Sequence, residues 1–382
     1  MRCTPYRVIL VAALLFPLAA QARAGNVDTA NQQTRQFIGQ TMESLRIPGL
    51  QIAVVKEGKV VLSESVGLAN VENQLPATRS TRFPLNSATK SFTGVALMQL
   101  AEAGKVDLDA PVSSYLADLP EAWRSVRVRQ LLAHTSGLPD ILDARGLLGG
   151  STEQAAWAAV TQRPVEAAPG ARFTYNQTNY VLLARIIAAQ SAMPYDRYVA
   201  TRQFDAAGMP STTFGDSYDL IANSATIYSW FPRRTDAPEA TPRLSHWFYD
   251  MPPGLWAGGG MLTTADDVAQ WLVALTGNRL INAASTRRMW TPERLNDGSE
   301  GAWGDGWAVL QGAPQRQVAG MGGARSAFIV YPDQGLAIVV LTNLVGANPQ
   351  NFIPQIAAFY GAGAPVPTVS RAARPSPAGS RR

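Results

Sequence analysis

Two β-rich pairs stand at opposite ends of this chain, with a long helical stretch between them. Gln51 to Lys56 and Lys59 to Val66 are apolar, β-branched runs joined by Glu57-Gly58, a hairpin signal. Far downstream, Ser326 to Tyr331 and Leu336 to Thr342 flank Pro332-Asp333-Gln334-Gly335 in the same way. An isolated hairpin is marginal in water because it cannot bury its apolar face alone. The economical solution is one antiparallel sheet assembled from both ends of the chain. Helices are predicted just outside the two pairs, at about Thr29 to Leu45 and about Pro349 to Tyr360, where they can cover one sheet face. The expected class is therefore α+β: an antiparallel sheet of N- and C-terminal strands, flanked by helices, with a mostly helical region inserted.

The extreme ends read as something other than fold. Arg2 and Arg7 form a basic start, Val8 to Ala20 is uncharged, and Ala22-Arg23-Ala24 offers small residues at the positions a signal peptidase reads. That order predicts a secretory signal cleaved after Ala24. The uncharged run is shorter than the roughly 20 residues a spanning helix needs, and no later segment is apolar enough to span a bilayer. The expected organisation is a signal at 1–24, one folded domain at 25–362 and a disordered basic tail at 363–382, rich in Pro, Ala, Ser and Arg. This predicts a periplasmic or secreted protein. The only cysteine, Cys3, lies in the signal, so the domain has no disulfide, thiol nucleophile or cysteine metal ligand. With 46% apolar residues it has enough to build its core without one.

The net charge of +5 is misleading, because the first 24 residues hold three unopposed arginines and the last twelve hold four more. Without them the body carries −2. Nucleic-acid binding needs a concentrated basic face, so that class is excluded.

Ser87-Ala88-Thr89-Lys90 opens a segment whose apolar residues, from Phe92 through Ala101, surround the helix axis and predict a buried helix. Pro84 and Asn86 are start signals, with Asn86 as N-cap, and Gly104 is a stop. Ser87 then takes the first helical position, where its amide is an orphan donor at the positive end of the dipole. A serine so placed can attack a carbonyl while its own N–H holds the resulting oxyanion. Lys90 follows on the same face. Burial would lower its pKa and free a neutral amine to act as base. The chain has only four lysines, Lys56, Lys59, Lys90 and Lys105. The bland alternative is a solvated lysine on a polar helix end, and Ser-x-x-Lys alone does not exclude it.

The surroundings of this motif carry a resemblance. Phe83-Pro84-Leu85-Asn86-Ser87-Ala88-Thr89-Lys90, followed by Gly104-Lys105-Val106-Asp107-Leu108-Asp109, is joined by three more stretches. They are Leu131-Leu132-Ala133-His134-Thr135-Ser136-Gly137-Leu138-Pro139, Pro169-Gly170-Ala171-Arg172-Phe173-Thr174-Tyr175, and Gly320-Met321-Gly322-Gly323 before a hairpin ending at Leu341-Thr342-Asn343. From Ile47 to Tyr360 the chain resembles the serine β-lactamase and penicillin-binding-protein superfamily, on the side of the class C β-lactamases and their esterase relatives. The resemblance implies that Ser87 is the acylated nucleophile, Lys90 its motif partner and Tyr175 a sharer of the proton transfer. It also implies an oxyanion hole from the backbone N–H groups of Ser87 and Ala324, with Gly322 and Gly323 letting the strand approach substrate closely.

Two departures bear on substrate. Gln177 stands where the family has asparagine, offering the same amide one methylene further out. Met321 stands where the third motif begins with lysine or histidine, and a methionine cannot donate to a substrate carboxylate. Arg325 is the nearest replacement charge. Both histidines, His134 and His246, read as packing or turn residues, and without a cysteine or carboxylate cluster neither a catalytic metal nor another cofactor is expected. Gly258-Gly259-Gly260 reads as a tight turn entering a helix that starts near Thr264, and one or two of Trp230, Trp247, Trp256 and Trp303 are expected at the site. The expected function is a serine hydrolase acting on small esters or amides. One alternative is a β-lactamase or D-Ala-D-Ala carboxypeptidase with the same site, and the other is a non-catalytic binding protein that kept the fold.

Overall fold

Both hairpins form where their turn residues place them, and they meet in one sheet. The computed structural model describes residues 16–143, 146–150, 152–230, 243–312 and 315–362, with side chains from residue 26 onward. Strands β1 (Gly49–Lys56) and β2 (Lys59–Asn70) are joined at Glu57 and Gly58, both at positive φ, as a two-residue type I′ turn requires. With β3 (Leu75–Pro76), β4 (Ala308–Leu310), β5 (Gln317–Gly322), β6 (Ser326–Tyr331) and β7 (Leu336–Thr342) they form a seven-stranded sheet in the order β4-β5-β6-β7-β1-β2-β3. The chain ends are zipped together by β1 against β7, antiparallel from Leu50↔Thr342 to Lys56↔Leu336.

The central strands are buried on both faces, which is why they read as continuous apolar runs rather than alternations. Ala53, Val55, Phe328, Val330, Val339 and Leu341 face one core, while Leu50, Ile52, Val54, Ile329, Ile338 and Val340 face the other. The second core is covered by α1 (Phe16–Leu45) and by the C-terminal helix Ile353–Phe359, whose rings Phe37 and Phe359 meet edge to face at 5.9 Å. Helix α1 begins well before Thr29 and runs through Ala24. The apolar signal start at 1–15 and the basic tail at 363–382 lie outside the described residues. Against the first core lie α2 (Lys90–Glu102) and Ala265–Thr276, with Phe92 stacked on Trp271 at 3.8 Å. Thr264 caps the latter helix by accepting from the Asp267 amide at 3.1 Å, as expected of a threonine N-cap.

Two expectations need correction. Asn86 is not an N-cap, and Ser87 is not the first residue of the α-helix. Asn86–Thr89 is a 3-10 turn, α2 starts at Lys90, and Asn86 stands at φ +50° with its side-chain oxygen buried and unpartnered. Pro84 is still paired with Leu262 in a short ladder, so the chain has only a few residues in which to swing from strand to helix. The tighter i→i+3 turn achieves that. Next, Gly258-Gly259-Gly260 does not lead directly into a helix. Trp256–Gly259 is itself a short helix and the strand Met261–Thr263 follows before Thr264. Gly258 answers to packing instead, since a Cβ there would lie 2.3 Å from Gln177 Oε1.

Gly322 lies in close contact with the protein's own backbone. A Cβ at Gly322 would lie 2.0 Å from the Leu85 carbonyl oxygen and 2.8 Å from the Ser87 nitrogen. The end of β5 is thereby pressed against the turn that carries Ser87. Gly322→Ala is expected to destabilise the protein by about 1–3 kcal/mol, the usual range for overpacking a tight contact. Gly39→Ala, in α1 with open space around it, should instead stabilise by about 0.5–1 kcal/mol. Urea midpoints of the two variants check this, and a Gly322→Ala midpoint at or above wild type would show that the turn yields freely.

Candidate active site

Ser87 is half-buried where the turn that carries it meets the end of β5, and Lys90, one turn on, is fully buried. The Lys90 amide donates to the carbonyls of Ser87 and Ala88, so the two motif residues are one turn apart. Beside them β4 pairs only with Gln317 to Ala319. Among the described residues, Gly320 to Gly322 therefore has β6 on one side and no paired strand on the other. Ser326 ties this hairpin down by donating from Oγ to the Pro84 carbonyl at 2.7 Å.

The ammonium of Lys90 donates to Gly258 O at 2.7 Å and to Gln177 Oε1 at 3.0 Å. Both acceptors are neutral. Burial pushes the Lys90 pKa down, opposed by the phenol of Tyr175 and, further off, the carboxylate of Asp140. The nitrogen lies 4.7 Å from the ring centre of Tyr175 and 4.9 Å from that of Tyr180. Ser87, Lys90, Tyr175 and Gln177 are thus brought into one neighbourhood, though Gln177 spends its oxygen on Lys90.

Tyr175 is 38% exposed and its position is imposed from beneath by His134. The Thr174 amide donates to the His134 carbonyl at 2.8 Å, and the Asn176 amide donates to His134 Nδ1 at 3.3 Å. The residues on either side of Tyr175 are therefore both fastened to His134, whose ring lies 4.3 Å from the Tyr175 ring. Ser136 Oγ donates to Asn179 Oδ1 at 2.6 Å, which turns the amide nitrogen of Asn179 toward His134 Nδ1 at 3.2 Å. With two donors aimed at it, Nδ1 is an acceptor and the imidazole proton sits on Nε2. Nε2 itself is buried without a hydrogen-bond partner. Burial, with the nearby charge of Lys90 adding to it, holds the His134 pKa well below the ordinary imidazole range. His134 stands at φ +57°, so its place in the sequence is indeed a turn.

The remaining sequence candidates separate. Gly323 and Ala324 form the tip of the β5–β6 turn, both at positive φ, and Ala324 is exposed there. Met321 is half-buried and packs with the second core, on the strand face of Ala319. Arg325 is only 2% exposed and its Nε has no partner. Its guanidinium carbon lies 5.1 Å from the Tyr249 ring centre and 3.1 Å from where a Gly323 Cβ would be. Burial lowers its pKa to about 10. Of the four tryptophans, Trp303 reaches the site, 5.8 Å from Tyr175 and 5.4 Å from His134. Trp230 packs under Arg46 elsewhere. His246 contacts Glu72 near the surface.

Sequence reasoning passed over Asp140, Asn176, Asn179 and the Gly258 carbonyl. Asp140 Oδ1 accepts from the amides of Gln177 and Leu142, fixing the backbone just after Tyr175. Its position directly after the Leu138-Pro139 end of a quoted motif was the available signal. A carbonyl acceptor such as Gly258 O leaves none.

The sequence pattern of the Beta-lactamase family matches residues 34–359. Protein flp of Staphylococcus aureus (strain N315) is 25% identical over 332 residues, covering 82% of this chain and 63% of that protein. The chain thus spans less than two thirds of the length of that curated relative. A penicillin-binding protein homologue from Pyrococcus abyssi, described as octameric, superposes with a TM-score of 0.72 at 27% identity, covering 87% of this chain and 78% of the other. EstCE1, a hydrolase with promiscuous acyltransferase activity, superposes at 0.71 with 23% identity, covering 90% and 99%, a likeness of fold alone. With the family pattern spanning nearly all of the sheet and the inserted helices, the chain belongs to the Beta-lactamase family, a group of serine hydrolases sharing this fold.

Proposed function

We propose that this protein hydrolyses small esters or amides through an acyl-enzyme on Ser87. The observation that carries the reading is Lys90: a fully buried amine one turn from an accessible serine, bonded only to neutral acceptors. Ser87 Oγ bonds to the substrate carbonyl carbon while its proton passes to the Lys90 and Tyr175 pair. The backbone N–H groups of Ser87 and Ala324 receive the oxyanion. As the intermediate collapses, the bond to the leaving alkoxide or amine breaks and that group takes the proton. Water then attacks the acyl carbon by the same relay, releasing the acid and restoring Ser87. The edge of β5 left unpaired among the described residues supplies backbone groups along which a substrate can lie.

A fluorophosphonate is expected to add once, at the peptide containing Ser87, and labelling that persists in Ser87→Ala would remove the assignment. Lys90→Arg keeps charge but not an accessible proton equilibrium, so acylation should slow by about 10²- to 10⁴-fold. Because the amine must be neutral to act, kcat/KM should rise with pH through the lowered Lys90 pKa and level off before its ordinary value of 10.5. A profile flat across that range, or near-normal Lys90→Arg, would shift the base to Tyr175.

His134→Phe keeps a ring under Tyr175 but orphans the Asn176 and Asn179 donors, a loss of about 1–3 kcal/mol in stability. It should also lower kcat by up to about a hundredfold through misplacement of Tyr175, with little change in KM. The unfolded imidazole takes a proton that the folded one refuses. Wild-type stability should therefore fall as pH drops below about 6.5, and His134→Phe should lose that part of the slope. Unchanged kcat in a folded His134→Phe would show that the clamp is dispensable.

A second reading, turnover of β-lactams or D-Ala-D-Ala peptides, is favoured by one feature: Arg325, a buried guanidinium beside the Ser87 turn with no acidic partner among the described residues. Both readings are separated by kcat/KM for a nitrophenyl ester against a chromogenic cephalosporin. Ester hydrolysis is expected to dominate. Efficient cephalosporin turnover that disappears in Arg325→Ala would make the second reading the better one.

A further inference from the structure

A groove of about 590 Å³ opens at the far end of the sheet from Ser87, between the C-terminal end of Ala265–Thr276, the helix Ala283–Met289, and the ends of β1, β6 and β7. Ser326, at one end of β6, is bonded to the Ser87 arm, while the groove is lined by Val330 and Tyr331 at the other. At about 3.3 Å per residue the two places are roughly 17 Å apart. The groove is therefore separate from the Ser87 neighbourhood, and its volume lies in the usual range for small-molecule sites, about 300–1,000 Å³.

Its chemistry is one-sided. The floor is apolar, formed by Val55, Leu272, Val330, Leu336 and Ala337. The walls carry two arginines, Arg279 and Arg287, and no acidic residue lines it. Both arginines are exposed, and among the described residues neither has a side-chain ion pair or hydrogen bond. Trp290 closes one side at 6% exposure, and its indole Nε1–H is buried without an acceptor. An apolar floor and two unopposed cations are together complementary to a single class of ligand.

We propose that this groove binds a soluble amphipathic anion, an alkyl or acyl chain bearing one carboxylate or phosphate. The chain lies on Leu272, Val330 and Leu336, and the head accepts from Arg279 and Arg287.

The experiment is calorimetric titration of the full chain with its Ser87 blocked by fluorophosphonate, which takes the Ser87 neighbourhood out of the measurement. Decanoate and decyl phosphate are the anionic probes, and decanol is the neutral one. At least one anion should bind, and decanol should bind at least tenfold more weakly. Two charge-assisted hydrogen bonds are removed in Arg279→Ala/Arg287→Ala, so affinity should fall tenfold to more than a hundredfold. Ala283→Trp, which fills the groove from an exposed helix position, should abolish binding. Neither variant touches the Ser87 neighbourhood, so unblocked enzyme carrying them should turn over a nitrophenyl ester at the wild-type rate, which reports that they fold. The proposal is overturned if no anion binds, if decanol binds equally, or if the variants bind as wild type does. Binding seen only to anionic vesicles, with no free anion bound, would overturn it in favour of a membrane surface.

Discussion

Lys90 carries its nitrogen to a place with no exposure to water, and the surrounding chain is arranged to make that tolerable. Two neutral acceptors, Gln177 Oε1 and Gly258 O, hold it from different segments. A buried ammonium held by neutral acceptors is poorly compensated, so burial pushes its pKa down while Tyr175 and the Asp140 carboxylate oppose the shift. Several backbone details follow from seating it there. Gly258 has no side chain because a Cβ would meet Gln177. Gly94, one turn along α2, lies where a Cβ would be 2.3 Å from the Asp305 carbonyl, so the segment at 304–306 closes the helix from behind. Gly322 seals the front against Leu85 and Ser87. Three glycines in three segments let the helix, the sheet edge and the 256–260 segment meet around one amine.

The parts of this arrangement that the sequence exposed are those controlled by short-range chemistry. The Glu57-Gly58 turn, the strands on either side of Pro332 to Gly335, the helix start near Thr264 and the all-round apolar character of α2 each depend on neighbouring residues alone, and each stands as expected. The pairing of β1 with β7 was accessible too, because hairpins at both ends of a chain leave few other ways to bury their faces. What escaped was set by contacts distant in sequence. Nothing local to Asn86 reveals that Leu262 holds Pro84 in a ladder and compresses the helix start into a 3-10 turn. Nothing local to Gly258 says that its carbonyl faces a lysine 168 residues away.

His134 shows the same limit from another side. Its position in a signature stretch marks a turn, and the positive φ confirms that. Its second task, accepting from Asn176 through Nδ1 while its own carbonyl accepts from Thr174, appears only when the two segments are brought together. The imidazole must stay neutral to keep that acceptor, and deep burial keeps it so. The residue least able to act as a catalytic base in this site is thus the histidine, and its neutrality is what fixes the tyrosine above it.

The substitution of methionine for a cation at 321 can be understood from where its side chain goes. Met321 lies on the strand face that packs with the second core, among Ala319 and its neighbours, where a thioether fits and an ammonium would need a partner. The cation near Ser87 has instead moved to Arg325, past the turn, where it is folded under Gly323 and against Tyr249. The two placements differ in consequence. A flexible charge on the strand could meet a substrate anion while still partly hydrated. Arg325 is already desolvated, so an anion reaching it would interact in a low-dielectric setting and gain more. A neutral substrate would instead leave the guanidinium as buried and unpaired as it is now. On the proposed function, selectivity between the two substrate classes would depend less on whether a positive charge is present than on whether a substrate group can pass the turn at Gly323 and Ala324 to reach it.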